Sequence, residues 1–181
     1  LPTQKRYGLG NPNNRFQCHR ADERFDLYKH PNECNRYGYV VEIDPLAPNT
    51  NPKKRTALGR FRHENAEVVI GKSGQIVVYM GDDAQGEFIY KYVSSAIYSK
   101  DTPPDNLLVE GTLFVAKFHS DKRGQWLPLT PETTGLKEAA EVCVHTRVAG
   151  SAVKATPMDR PEWICARPGT SEVYCSLTNN V

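Results

Sequence analysis

Short apolar runs rich in β-branched and aromatic residues, each closed by turn chemistry after a few positions, restrict this chain more than any other feature. Glu67 to Ile70 and Gln75 to Met80 flank Gly71-Lys-Ser-Gly74, a length and composition suited to a hairpin. Phe88 to Val93 and Thr112 to Phe118 alternate in the manner of half-buried strands, and Gly124 to Leu129 extends the series. Trp163 to Ala166 and Glu172 to Leu177 are joined by the tight turn Arg167-Pro-Gly-Thr-Ser171. Upstream, Tyr37 to Asp44 reads as a further strand ending at Asp44-Pro45.

Repeated strand pairs of this kind predict an all-β protein of antiparallel sheets. Their spacing approaches the roughly 40 to 50 residues of a propeller blade, and a two-sheet sandwich accounts for the alternation equally well. One segment departs from the pattern. Leu136 to Val148 carries Leu136, Ala139, Ala140, Cys143, Val144 and Arg147-Val148 at nearly helical spacing, which predicts one short helix. Thr130-Pro-Glu-Thr-Thr134 supplies capping residues upstream and Gly150 a stop. Residues 1–36 are polar, rich in Asn, Arg and Pro, and predict an irregular arm; residues 37–181 form the β domain.

With 181 residues, 39% of them hydrophobic, the chain is long enough to bury a core. A formal charge of +2, with Lys and Arg scattered rather than striped, sets nucleic acid aside as a partner. No stretch approaches the roughly 18 apolar residues of a membrane span, and no leader pattern is visible. The five cysteines include no C-x-x-C pair, which argues against structural zinc. Cys165 and Cys175 fall on successive strands and could face each other.

The chemistry concentrates in Thr156-Pro-Met-Asp-Arg-Pro-Glu-Trp-Ile164, where Asp159, Arg160 and Glu162 stand between two prolines. Carboxylates around a guanidinium suit a phosphoryl group held against metal ions. They are also what an Arg clamped between surface acids looks like. Glu64 and the Asp82-Asp83 pair are the other acids of note, the latter at a strand end where acids commonly make turns. His63, His119 and His145 each stand alone in their segments and read as surface or core residues, and Trp126 and Trp163 read as core aromatics.

The words Tyr37-Gly-Tyr-Val-Val-Glu-Ile-Asp-Pro45, Lys54-Arg-Thr-Ala-Leu-Gly-Arg-Phe-Arg-His-Glu64, Val77-Val-Tyr-Met-Gly-Asp-Asp83, Phe88-Ile-Tyr-Lys-Tyr-Val93, Gly111-Thr-Leu-Phe-Val-Ala-Lys-Phe118, Trp126-Leu-Pro-Leu129, Ala155 to Trp163 and Val173 to Asn180 follow one another as in PhoX-type alkaline phosphatases. From Tyr37 onward the chain resembles that family almost continuously. The resemblance implies a β-propeller exported to the periplasm or beyond, which hydrolyses phosphate monoesters with iron and calcium (Ca2+, Fe3+) held by carboxylates from several blades. Matched by motif, Glu64 and Glu162 are expected metal ligands and Arg160 the phosphate clamp, with Asp82 and Asp83 as further metal candidates. The implied partner is a phosphate-ester substrate; neither nucleic acid nor membrane is expected, and the implied state is a monomer.

Two departures qualify the match. The family's upstream Thr-Cys-Glu-Glu word has no counterpart, since Cys18 lies in Phe16-Gln-Cys-His-Arg20 and Cys34 in Asn32-Glu-Cys-Asn35. The family also continues beyond the Leu-Thr-Asn-Asn word. The expectation is therefore an internal segment of a phosphatase, inactive alone, with a non-catalytic propeller module binding calcium or a protein partner as the alternative.

Overall fold

A computed structural model of the chain describes residues 2–10 and 16–179. Asn180, the last residue of the Val173 to Asn180 word, lies outside them. Two compact units appear, Leu1–Gly38 and Tyr39–Val181.

The first unit contains a short helix, α1 (Pro2–Arg6), and three single 3-10 turns at Cys18–Arg20, Glu23–Phe25 and Glu33–Arg36. Its internal ties are mostly polar. Gln4 Nε2 donates to the Pro31 carbonyl at 2.8 Å, and the Tyr37 hydroxyl donates to Glu33 at 3.0 Å.

In the second unit, the predicted strand at Tyr37 to Asp44 shrinks to β1 (Val41–Glu42), paired with β2 (Lys53–Lys54). The remaining strands are β3 (Glu67–Ile70), β4 (Gln75–Gly81), β5 (Gln85–Glu87), β6 (Ile89–Ile97), β7 (Gly111–Phe118), β8 (Gly124–Pro128), β9 (Met158–Asp159), β10 (Pro161–Ala166) and β11 (Val173–Leu177). Five of them form an antiparallel sheet in the order β3-β4-β6-β7-β8. The β3-β4 hairpin turns where expected, with Gly74 at φ 84, a conformation that favours glycine. β10 pairs with β11, and β5 with β9. The fold is thus mostly β.

Alternation assigns the faces of the sheet. Ile76, Val78 and Met80 of β4, Tyr90 and Tyr92 of β6, and Leu113 and Val115 of β7 point to one side and are all buried. There they pack with Leu58, Phe61, Phe88, Leu107, Val142 and Ala149. The helices covering this side are α2 (Pro104–Val109), α4 (Ala139–Val144) and α5 (Thr146–Ala152), with α3 (Pro131–Thr134) packed against α4 and α5. On the opposite side Ile89, Ala116 and Ile164 form a smaller cluster beneath the β10-β11 hairpin.

The single helix expected over Leu136 to Val148 is two helices, broken at His145. The Thr146 hydroxyl donates to the Cys143 carbonyl at 2.8 Å and accepts from the Arg60 N–H at 2.9 Å. Local side-chain bonding of this kind competes with helix continuation. The Thr130 capping box closes its own one-turn helix, α3, which ends at Gly135 with φ 73. Cys165 sits opposite Tyr174 and Cys175 opposite Ile164, so the two thiols project from opposite faces of the hairpin and both are free. Trp163 is 61% exposed rather than a core aromatic.

Candidate active site

Gly81, the last residue of β4, is where the acidic segments meet. The Glu64 N–H donates to the Gly81 carbonyl at 3.4 Å, and a Cβ on Gly81 would lie 2.6 Å from the Pro161 carbonyl oxygen. Only a residue without a side chain lets β10 approach so closely. Asn65 completes the junction, its amide donating to the Ile164 carbonyl at 2.7 Å while its oxygen accepts from the Ile164 N–H at 2.9 Å. Glu64 and Glu162 are therefore carried by segments tied together across β4.

Two aspartate–arginine pairs follow Gly81. Asp82 is fully buried, and both its oxygens accept from Arg147, at 2.8 Å from Nε and 2.6 Å from Nη2. Its Oδ1 also accepts from the Arg62 N–H at 3.2 Å, and Glu87 stands 3.7 Å from Arg147. Burial pushes the Asp82 carboxyl above its ordinary value, against the opposing pull of the Arg147 guanidinium. Both oxygens are thus taken up inside the protein. Sequence reading assigned Arg147 to an apolar stripe and missed this partnership; a guanidinium among apolar neighbours at helical spacing was the available signal.

Asp83 points into the second pair. Arg160 Nε donates to its Oδ1 at 2.9 Å and Nη2 to its Oδ2 at 3.2 Å. Nη2 also donates to Glu162 Oε1 at 3.1 Å, which accepts the Thr178 hydroxyl at 2.6 Å. Three of the five guanidinium N–H groups are committed in this way, and Nη1 makes no bond to a described residue. The Arg160 side chain is 40% exposed. Its backbone is left-handed, at φ 55, a conformation that costs a non-glycine residue about 1 kcal/mol or more.

Glu64 is exposed, and no described side chain pairs with it. His63 beside it turns inward, stacked on Phe61 at 3.7 Å, with Nε2 at 3.0 Å from the Gly59 carbonyl. Burial lowers its pKa to about 4, which makes it a neutral core residue. The geometry therefore brings together Asp83, Arg160 and Glu162, withdraws Asp82 into the interior, and ties Glu64 to the same junction through its backbone N–H on the Gly81 carbonyl. Among the described residues no group of three or more His, Cys, Asp or Glu side chains is arranged to hold a metal ion.

A family model described as "Alkaline phosphatase PhoX" matches residues 1–181, extending the resemblance through the N-terminal arm. Among solved structures, one described as Pseudomonas fluorescens PhoX in complex with vanadate, a transition state analogue, is similar at 48% identity and a TM-score of 0.92. The match covers 99% of this chain and 34% of that one, so the chain spans about a third of the neighbour's length. No curated protein matches the chain.

Proposed function

The chain belongs to the alkaline phosphatase PhoX family, and on that premise we propose that it is an internal segment of an exported, metal-dependent phosphatase acting on phosphate monoesters. The observation that carries the reading is Arg160, a guanidinium clamped on one edge by Asp83 and Glu162 with Nη1 left open at a partly exposed position. The open nitrogen keeps two N–H donors, either of which can donate a charge-assisted hydrogen bond to a phosphoryl oxygen at a fixed orientation. The similar protein described in complex with vanadate supports a phosphate-ester substrate.

Arg160 would receive the substrate phosphoryl group and neutralise charge developing on its oxygens. Glu64, exposed and unpaired by described residues, and Glu162 Oε2, the one oxygen of that carboxylate not engaged by Arg160 and Thr178, would be the chain's contribution to a calcium and iron site. Their chemistry fits hard cations, whereas their number is short of the six to eight oxygens that calcium takes. The other ligands would come from other parts of a longer protein, arranged as propeller blades. When bound, such ions supply charge neutralisation and acidify water. Asp82 falls out of the ligand set, because releasing it would strand the Arg147 guanidinium in the core.

The test is hydrolysis of p-nitrophenyl phosphate by the full-length protein, with calcium and iron measured by elemental emission on the same sample. Turnover that disappears on calcium chelation and returns on resupply is the expected outcome. An iron- and calcium-loaded protein without phosphatase activity would refute the reading.

A further inference from the structure

Resting on the phosphatase reading above, we infer that Asp83 is a positioning residue that presets the Arg160 guanidinium for phosphate, and not a metal ligand. Both carboxylate oxygens of Asp83 face Arg160, at 2.9 and 3.2 Å. The bidentate geometry fixes the plane of the guanidinium as well as its place. It also determines which edge is left over, because Nε and one N–H of Nη2 are consumed and Nη1 is turned away from the carboxylate.

Both partners are held from behind. Asp83 follows Asp82, whose two hydrogen bonds from Arg147 anchor the strand end in the core, and the Asp83 N–H donates to the Arg62 carbonyl at 3.0 Å. Arg160 is confined by its left-handed backbone before Pro161, with its N–H on the Met158 carbonyl at 3.2 Å. A long, flexible side chain ordered before the ligand arrives loses less conformational freedom on binding. Glu162 braces the same nitrogen from the other side, its Oε1 held in turn by the Thr178 hydroxyl. Without Asp83, Arg160 would retain one carboxylate contact and a freely swinging Nε edge.

The experiment compares full-length wild-type protein with Asp83→Asn, Arg160→Ala and the double variant. Four quantities are read: kcat/KM for p-nitrophenyl phosphate, calorimetric affinity for inorganic phosphate, calcium and iron stoichiometry, and thermal midpoint. Asp83→Asn is expected to weaken phosphate binding and kcat/KM at least tenfold with metal content unchanged. In the Arg160→Ala background it should add less than a twofold effect, because residues acting through one another are not additive. Loss of metal would make Asp83 a ligand and overturn the inference. Multiplying losses, or a single variant within twofold of wild type, would do the same. Should Asp83→Asn not fold, Asp83→Glu keeps the charge while shifting the fork, and its loss should vanish in the Arg160→Ala background; failure of both to fold assigns Asp83 to stability alone and overturns the inference. Phosphate affinity is measured without turnover, so an inactive wild-type protein would refute the phosphatase reading while Asp83 is still judged on binding.

Discussion

Arg147 occupies a helical position among apolar neighbours and is 1% exposed, so its charge survives only because Asp82 and Glu87 meet it. Replacing it by Met would leave a buried carboxylate unpaired, and Arg147→Met is expected to cost about 3–5 kcal/mol in urea unfolding. Replacing Asp82 and Arg147 together by apolar residues should recover a large part of that loss. A double variant as unstable as the single one would contradict the assignment. At this scale the sequence was partly legible. Asp159, Arg160 and Glu162 announced themselves by crowding, yet which oxygen meets which nitrogen depended on Asp83, 77 positions away from Arg160. Asp82 and Asp83 are adjacent and chemically identical, and just past the end of β4 their side chains point apart, one to Arg147 in the core and the other to Arg160 at the surface site.

One strand carries the core to the site, and another ties the core to a covering helix. β4 ends at Gly81, and Gly81→Ala would drive a methyl group into the Pro161 carbonyl, 2.6 Å away. Overpacking of this type costs about 1–3 kcal/mol. Because Glu162 and Arg160 flank that carbonyl, the expected kinetic loss in the full-length protein exceeds tenfold, measurable as kcat/KM beside the thermal midpoint. β6 is tied to α2 by Tyr92, whose hydroxyl donates to the Leu107 carbonyl at 3.2 Å. Burial, helped by the Glu110 charge, pushes its pKa from 10.0 up to about 12. The folded state therefore holds this proton more tightly than the unfolded chain does. Stability should be unaffected by this group below pH 10.0 and should decline from there to about pH 12, by an amount of order 3 kcal/mol. Tyr92→Phe is expected to flatten that alkaline decline while costing about 1 kcal/mol at neutral pH for the lost hydrogen bond. Strands and hairpins were readable here because period-2 alternation and turn glycines are local signals. The break at His145 was not, because it depends on the backbone N–H of Arg60 reaching the Thr146 hydroxyl.

Across the molecule, β3 and β8 end the five-stranded sheet, and Val68 and Ile70 on β3 are 56% and 59% exposed. Unpaired edges with apolar side chains are places where further strands or segments pack. Under the proposed reading those segments also bring the missing oxygen donors. The isolated 181-residue chain should then hydrolyse p-nitrophenyl phosphate at least about 100-fold more slowly than the full-length protein, even with calcium and iron supplied. Comparable turnover in assays of both would mean that Glu64, Asp83, Arg160 and Glu162 suffice.

The amino-acid sequence by itself determined the β-rich character, the positions of the hairpins and the family, because alternation, turn residues and ordered words are written in consecutive positions. Only the tertiary structure decided that Asp82 is an internal anchor and Asp83 a partner of Arg160, that Cys165 and Cys175 face apart, and that Glu64 and Glu162 lie on segments joined at Gly81. Those outcomes follow from strand register and from which charges burial forces into pairs. Neither is settled until distant parts of the chain come into contact.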